Sequence, residues 1–274
     1  MTQDRKRHEI TFKKTVYEIP GMAEVTIQRD VEYGHAGSGP LTMDLYYPAG
    51  TKAGVALPAV LFVSGFPDPG FETLAGCKFK DMAGYVSWGQ LVAASGLVGV
   101  TYSNHEPLAD LDRVVAHLRD NSTALGIDGR RIGLWASSGN VPTALGLLMQ
   151  KSDVPFNSAV LSYGLMLDPD GSLGVARAAA QLGFANPCAG KSVNDLPQEL
   201  PLMIVRAGKD VTPGLNDTID RFVVAALARN LPILLMNHST APHAFDLVDD
   251  TKSSREVMRR MLAFLQAHLG RPLG

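Results

Sequence analysis

Short, nearly continuous apolar runs punctuate the chain beyond residue 50: "PAVLFVSG", "LVGVTYS", "RIGLWASS", "NSAVLSYG", "PLMIVRAG" and "PILLMNHS". Between them lie segments in which apolar residues recur at helical period, among them "LADLDRVVAHLRDNSTAL", "VPTALGLLMQK", "DTIDRFVVAALARNL" and "SSREVMRRMLAFLQAHL". Strands apolar on both faces and spaced by amphipathic helices imply an α/β fold, with a mostly parallel central sheet and helices on both faces. The first fifty residues follow another pattern. "TVYEIP", "EVTIQRDVEYG" and "LTMDLYYPAG", separated by Gly and Pro, read as strands of an N-terminal antiparallel β extension. With no internal repeat and no low-complexity linker, residues 1–274 read as a single domain.

Two segments break the alternation. Residues 67–84 read as a long loop after the first core strand. Residues 168–200 separate two core strands and contain "GVARAAAQLGF", a short lid-like or crossover helix. Long insertions on such sheets shape binding sites.

Charge and composition narrow the function. A formal net charge of −2 over 274 residues, with the signs interspersed, implies no nucleic-acid or anionic-membrane partner. The "RKRH" cluster at Arg5 to His8 reads as a solvated terminus. The first residues have no apolar signal region, and the longest apolar stretches fall short of the roughly 18 to 20 residues that span a bilayer. Cys77 and Cys188 match no zinc or redox spacing, so a reducing, cytoplasmic setting is expected, with a disulfide between them left open. "ANPCAGKS" fits a permissive phosphate-loop pattern but lacks the strand before it and the helix after it that cradle a phosphate. No His-Glu-x-x-His or clustered Cys/His set is present, and neither metal nor cofactor is expected.

The segment that carries chemistry is "RIGLWASSGNVPTAL", residues 131–145. A nucleophile elbow is a sharp turn from strand to helix that lifts one side chain above the sheet and aims the next N–H into the site. Strand and helix pass so close there that the residues two before and two after the nucleophile must be small. Ser137 would have Trp135 in the first of those positions. Ser138 has Ala136 and Asn140, with Gly139 following and Pro142 in the first turn of the next helix, where its missing N–H costs nothing. The same residues could instead form a plain helix cap.

A nucleophilic serine needs a base, and the base needs an orienting carboxylate. His243, on the loop after the last strand, is the first choice for the base. His238 at the end of that strand is the alternative, and His268 reads as surface. Asp210, just beyond "PLMIVRAG", is the favoured acid and Asp168 the runner-up, while Asp217 and Asp246 read as cap and surface residues. For an oxyanion hole, "VSGFPD" supplies the N–H of Phe66, with Gly65 allowing the tight turn and Pro67 offering no donor. Gly139 is the second donor. Gly65, Phe66, His105 and Tyr163 are candidate substrate contacts.

Taken in order, "FVSGFPD", "RIGLWASSGN", "VRAGKD" and "APHAFD" resemble the motifs of the α/β-hydrolase superfamily, in its dienelactone-hydrolase-like and small serine esterase branch, over about residues 40–270. Dienelactone hydrolases carry cysteine as nucleophile. With Ser138 in that place, the resemblance implies a serine hydrolase of carboxylic esters with small to medium acyl chains, acting on a small molecule through an acyl-enzyme. A peptidase or acyl-aminoacyl hydrolase, or a non-catalytic ligand-binding protein on the same fold, are the alternatives. Ala136 and Asn140 depart from the Gly-x-Ser-x-Gly pattern of the elbow.

Overall fold

The computed structural model describes residues 7–37, 39–150 and 155–270. Eight strands form one sheet: β1 (Thr26–Ala36), β2 (Gly39–Tyr47), β3 (Leu57–Phe62), β4 (Val98–Tyr102), β5 (Ile127–Ser137), β6 (Ser158–Ser162), β7 (Leu202–Ala207) and β8 (Ile233–His238). Their order across the sheet is β1-β2-β4-β3-β5-β6-β7-β8. The β1–β2 and β2–β4 pairs are antiparallel and the others parallel. This is the expected mostly parallel sheet with an antiparallel N-terminal extension.

The helices are α1 (Asp68–Ala75), α2 (Ala83–Ala94), α3 (Pro107–Asp120), α4 (Val141–Leu148), α5 (Val175–Leu182), α6 (Leu215–Ala228), α7 (Phe245–Val248) and α8 (Lys252–Leu269). Side chains alternate across the strands and feed two cores. Leu61 and Leu134 join Leu111, Leu145 and Phe222 of α3, α4 and α6 on one face. Phe62 and Trp135 join Trp88, Met258 and Leu265 of α2 and α8 on the other. Among the described residues no helix is long and apolar enough to cross a membrane.

Two expectations are corrected, and one helix was not foreseen. The "TVYEIP" segment is not a strand, because its backbone is satisfied off the sheet. The Thr15 N–H donates to Ser87 Oγ of α2 at 2.9 Å, and the Val16 N–H to the Asp246 carbonyl at 2.8 Å. Residues 67–84 are no plain loop either. Pro69 sits in the first turn of α1, Gly76 in a left-handed conformation stops it, and a short turn follows at Phe79–Asp81. The unforeseen helix is α2, which carries no amphipathic stripe to betray it, since it buries residues on nearly every side.

Strands β3 to β8 all point their carboxyl ends to one edge. The loops that leave this edge after β3, β5, β7 and β8 hold Phe66, Ser138, Asp210 and His243.

Candidate active site

The turn after β5 is strained at one residue. Ser137 is extended at φ −135°, whereas Ser138 stands at φ +54°, in the left-handed region that a side chain other than glycine's rarely enters. The turn is also tightly enclosed. A Cβ added to Gly65 would lie 2.8 Å from the Gly139 carbonyl oxygen and 2.9 Å from the Cα of Asn140. Glycine at 65 is therefore a matter of space. Two residues before Ser138, Ala136 is buried against the α3–α4 core, while Trp135 fills the opposite core, 5.1 Å from the Trp88 ring.

Ser138, His243 and Asp210 are joined by an unbroken chain of hydrogen bonds. Ser138 Oγ lies 2.9 Å from His243 Nε2, and His243 Nδ1 lies 2.5 Å from Asp210 Oδ2. The Asp210 side chain is wholly buried and that of His243 is about one-third open. Burial works against the Asp210 carboxylate, but bonds from His243 and from the Thr212 N–H outweigh it and hold its pKa below the ordinary value. The two loops are laced together: the Gly208 N–H donates to the His238 carbonyl at 2.9 Å and the Lys209 N–H to the Ala241 carbonyl at 2.8 Å. That lacing fixes the acid relative to the imidazole.

His238, the alternative base, is engaged elsewhere, with its Nε2 2.9 Å from Ser254 Oγ. Asp168, the alternative acid, accepts the N–H groups of Leu173 and Val175 at 3.2 Å each and so folds its own insertion. Asp246 is not a surface residue. It is buried, accepting Tyr163 Oη–H at 2.5 Å and Trp88 Nε1–H at 2.7 Å, and burial raises its pKa. Tyr163 is buried too, and its ring meets that of His243 edge-on at 5.2 Å, so its contact within the site is with the imidazole. The N–H of His105 donates to Asp110 Oδ2 at 2.7 Å, at the entry to α3.

The loop after β3 is held from several sides. The Ala185 N–H donates to the Gly65 carbonyl at 2.8 Å, and Asn104 Nδ2 donates to the Phe66 carbonyl at 3.1 Å. In a trans peptide the C=O and N–H point in opposite directions. Fixing the Gly65 carbonyl on Ala185 therefore turns the Phe66 N–H the other way. The rings of Phe66 and Phe184 press on the turn, each 2.9 Å from where a Cβ on Gly139 would stand, and Phe66 stacks on Phe79 at 5.3 Å. Sequence reasoning missed Phe184, Asn104 and Asp68; Asp68 closes the "FVSGFPD" motif, but nothing in that pattern marks it as a buried carboxyl. Cys77 and Cys188 are free thiols. Among the described residues no group of three or more His, Cys, Asp or Glu could hold a metal ion.

No protein-family profile matches the chain. No curated sequence matches it either. Solved structures do. A thermophilic esterase from the Planctomycetes species Thermogutta terrifontis is similar at 18% identity and a TM-score of 0.66, over 90% of this chain and 94% of that one. The esterase LipW from Mycobacterium marinum gives 19% and 0.67, over 91% and 83%. A thermostable esterase from Pseudomonas putida gives 13% and 0.68, over 93% and 86%. The chain thus has the α/β-hydrolase fold.

Asp68, two residues beyond Phe66, makes this region sensitive to pH. Its buried carboxyl accepts the N–H groups of Asn104 at 2.9 Å and Phe79 at 3.3 Å, yet burial dominates and raises its pKa to about 6. A carboxyl whose pKa is higher in the folded than in the unfolded chain takes up protons on folding. Stability therefore falls as pH rises from the ordinary value of 3.8 through about 6, and is level above. Urea titrations of the wild type and Asp68→Asn between pH 4 and 7 should show a steeper decline in the wild type, because the variant keeps the contribution of Asp246 and loses that of Asp68. The difference amounts to a stability change on the order of 3 kcal/mol. Parallel curves for the two proteins would contradict it.

Proposed function

We propose that this protein is a serine hydrolase of carboxylic esters, with Ser138 as nucleophile, His243 as general base and acid, and Asp210 orienting the imidazole. The observation that carries the reading is the left-handed Ser138 within hydrogen-bond reach of His243 Nε2, with Asp210 on the far ring nitrogen. Such a conformation costs about 1–3 kcal/mol, and a non-catalytic ligand-binding protein has no use for a serine so held at the end of a complete Ser–His–Asp chain of hydrogen bonds.

In this mechanism Ser138 Oγ attacks the ester carbonyl carbon as His243 Nε2 takes its proton. The oxyanion accepts hydrogen bonds from the N–H groups of Phe66 and Gly139. The intermediate collapses, the C–O bond to the alcohol breaks, and His243 returns the proton to the departing oxygen. Water then loses a proton to His243 and attacks the acyl carbon, the bond from that carbon to Ser138 Oγ breaks, and His243 returns the proton to Oγ as the acid leaves. Asp210 stays ionised throughout and stabilises the imidazolium. All three structural neighbours described above are esterases by name, which agrees with this chemistry. No step calls for a metal or cofactor. Free thiols and the near-neutral charge agree with a cytoplasmic setting.

The acyl preference follows from the walls. Phe66 and Phe184 crowd the turn beside Gly139, and segment 168–200 supplies Phe184 and Ala185 against the loop that carries Phe66. Small to medium acyl groups suit such a space.

Ser138→Ala should lower ester hydrolysis by on the order of a millionfold, as for other nucleophiles of this kind, while Ser137→Ala keeps much of it. Ser137 is buried, beside the Tyr85 and Tyr163 hydroxyls and away from His243. Steady-state rates on p-nitrophenyl acetate decide the matter, and equal losses in the two variants would defeat the assignment.

Across p-nitrophenyl esters from acetate to palmitate, kcat/KM should rise over the first few carbons, at up to about 0.8 kcal/mol per buried methylene, and then level or fall. A steady climb to the longest soluble chain would mean an open groove and would contradict the proposed acyl preference.

A further inference from the structure

Asn140 stands where the elbow pattern calls for a small residue, and its side chain is buried at 2% exposure. Its amide is used at both ends. Oδ1 accepts the N–H of Gly65 at 2.7 Å, and Nδ2 donates to the Tyr85 hydroxyl at 2.8 Å. Gly65 immediately precedes Phe66, and Asn140 immediately follows Gly139. One short hydrogen bond thus joins the neighbours of the two N–H groups assigned to the oxyanion.

We infer that Asn140 is a positioning residue for the oxyanion site, fastening the loop after β3 to the turn after β5 so that the Phe66 and Gly139 N–H groups keep one fixed separation. The inference rests on the esterase reading above. Two loops from different strands supply the donors, and each could drift by itself. Preorganised donors stabilise developing charge because they need no rearrangement as it forms. The Asn140–Gly65 bond spans the gap between the loops directly. Its orientation is set from behind by Tyr85, which α2 holds in place and which packs edge-on to Phe79 at 5.1 Å and Trp135 at 6.2 Å. The Ala185 N–H on the Gly65 carbonyl fixes the next peptide of the same loop. A glycine at 140 could supply none of this, and it would leave the buried Gly65 N–H without its acceptor. The departure from the usual pattern is therefore an added bond, and the absence of a Cβ at Gly65 makes room for it.

Asn140 acts through the donors and touches no substrate, so its removal should reach the transition state more than the ground state. In Asn140→Ala, kcat on p-nitrophenyl acetate should fall about 10- to 100-fold, short of the loss of a whole oxyanion donor, with KM within about threefold of wild type. The apparent pKa of the kcat/KM profile should not move, because His243 and Asp210 are untouched. Tyr85→Phe keeps the ring and removes only the hydroxyl; it should lower kcat severalfold by the same route. The double variant should be no slower than Asn140→Ala alone, because the two residues act in series. An unchanged kcat in Asn140→Ala, a loss carried by KM alone, or additive losses in the double variant would overturn the proposal. A wild-type protein that hydrolyses no ester would overturn the esterase reading itself, an outcome visible before any variant is compared.

Discussion

A serine held at φ +54° is uphill by about 1–3 kcal/mol relative to ordinary backbone, and the surrounding structure must hold it there. The packing around Ser138 shows how that is done. β5 delivers the chain from the middle of the sheet and α4 leads it away, the stretch Ile132–Ser137 of β5 and the whole of α4 being buried. The neighbouring loops close in until only glycine fits. At Gly65 an added Cβ would meet backbone atoms of Gly139 and Asn140, and at Gly164 it would come within 2.1 Å of Val141 Cγ2 and 3.0 Å of the Ser138 carbonyl. A turn pressed from two sides cannot relax by swinging outward. The strain is thus maintained by packing, and it puts Oγ in reach of the imidazole.

The same logic of cross-bracing extends to the other loops of this edge. Backbone bonds between the β7 and β8 loops hold Asp210 against His243, and side chains from further layers reach in behind them. Asp246 draws Tyr163 and Trp88 together, and Tyr163 stands edge-on to the His243 ring. Asn104 and Asp68 tie the β4 loop to the loop that carries Phe66. The site is made of loops, yet hardly any part of it depends on one loop alone.

Much of this was legible in the sequence because parallel strands and elbows are local patterns. The apolar runs marked β3 to β8, and the bulk of Trp135 was enough to favour Ser138 over Ser137 two residues on. Order along the chain favoured Asp210 and His243 for the same reason, since each follows a recognisable strand. What escaped was decided by tertiary contact. α2 is buried all round and shows no stripe; "TVYEIP" has strand-like residues but lies across α2 and α7; Asp246 looks like a polar helix start and is instead a buried carboxyl. Asn140 is the instructive case. From sequence it was an oversized residue in a tight turn, and only the position of Gly65 across a gap of 2.7 Å gives it a purpose.

The central claim is that one strained serine, activated by one histidine, is the reactive atom of this molecule. The most direct measurement is to treat the protein with a fluorophosphonate and locate the adduct by fragmenting the peptide that contains residues 131–145. The account requires a single phosphonyl group on Ser138, formed rapidly in the wild type and far more slowly in His243→Ala. An adduct on Ser137 or elsewhere, equal labelling rates in the two proteins, or no adduct at all would contradict it.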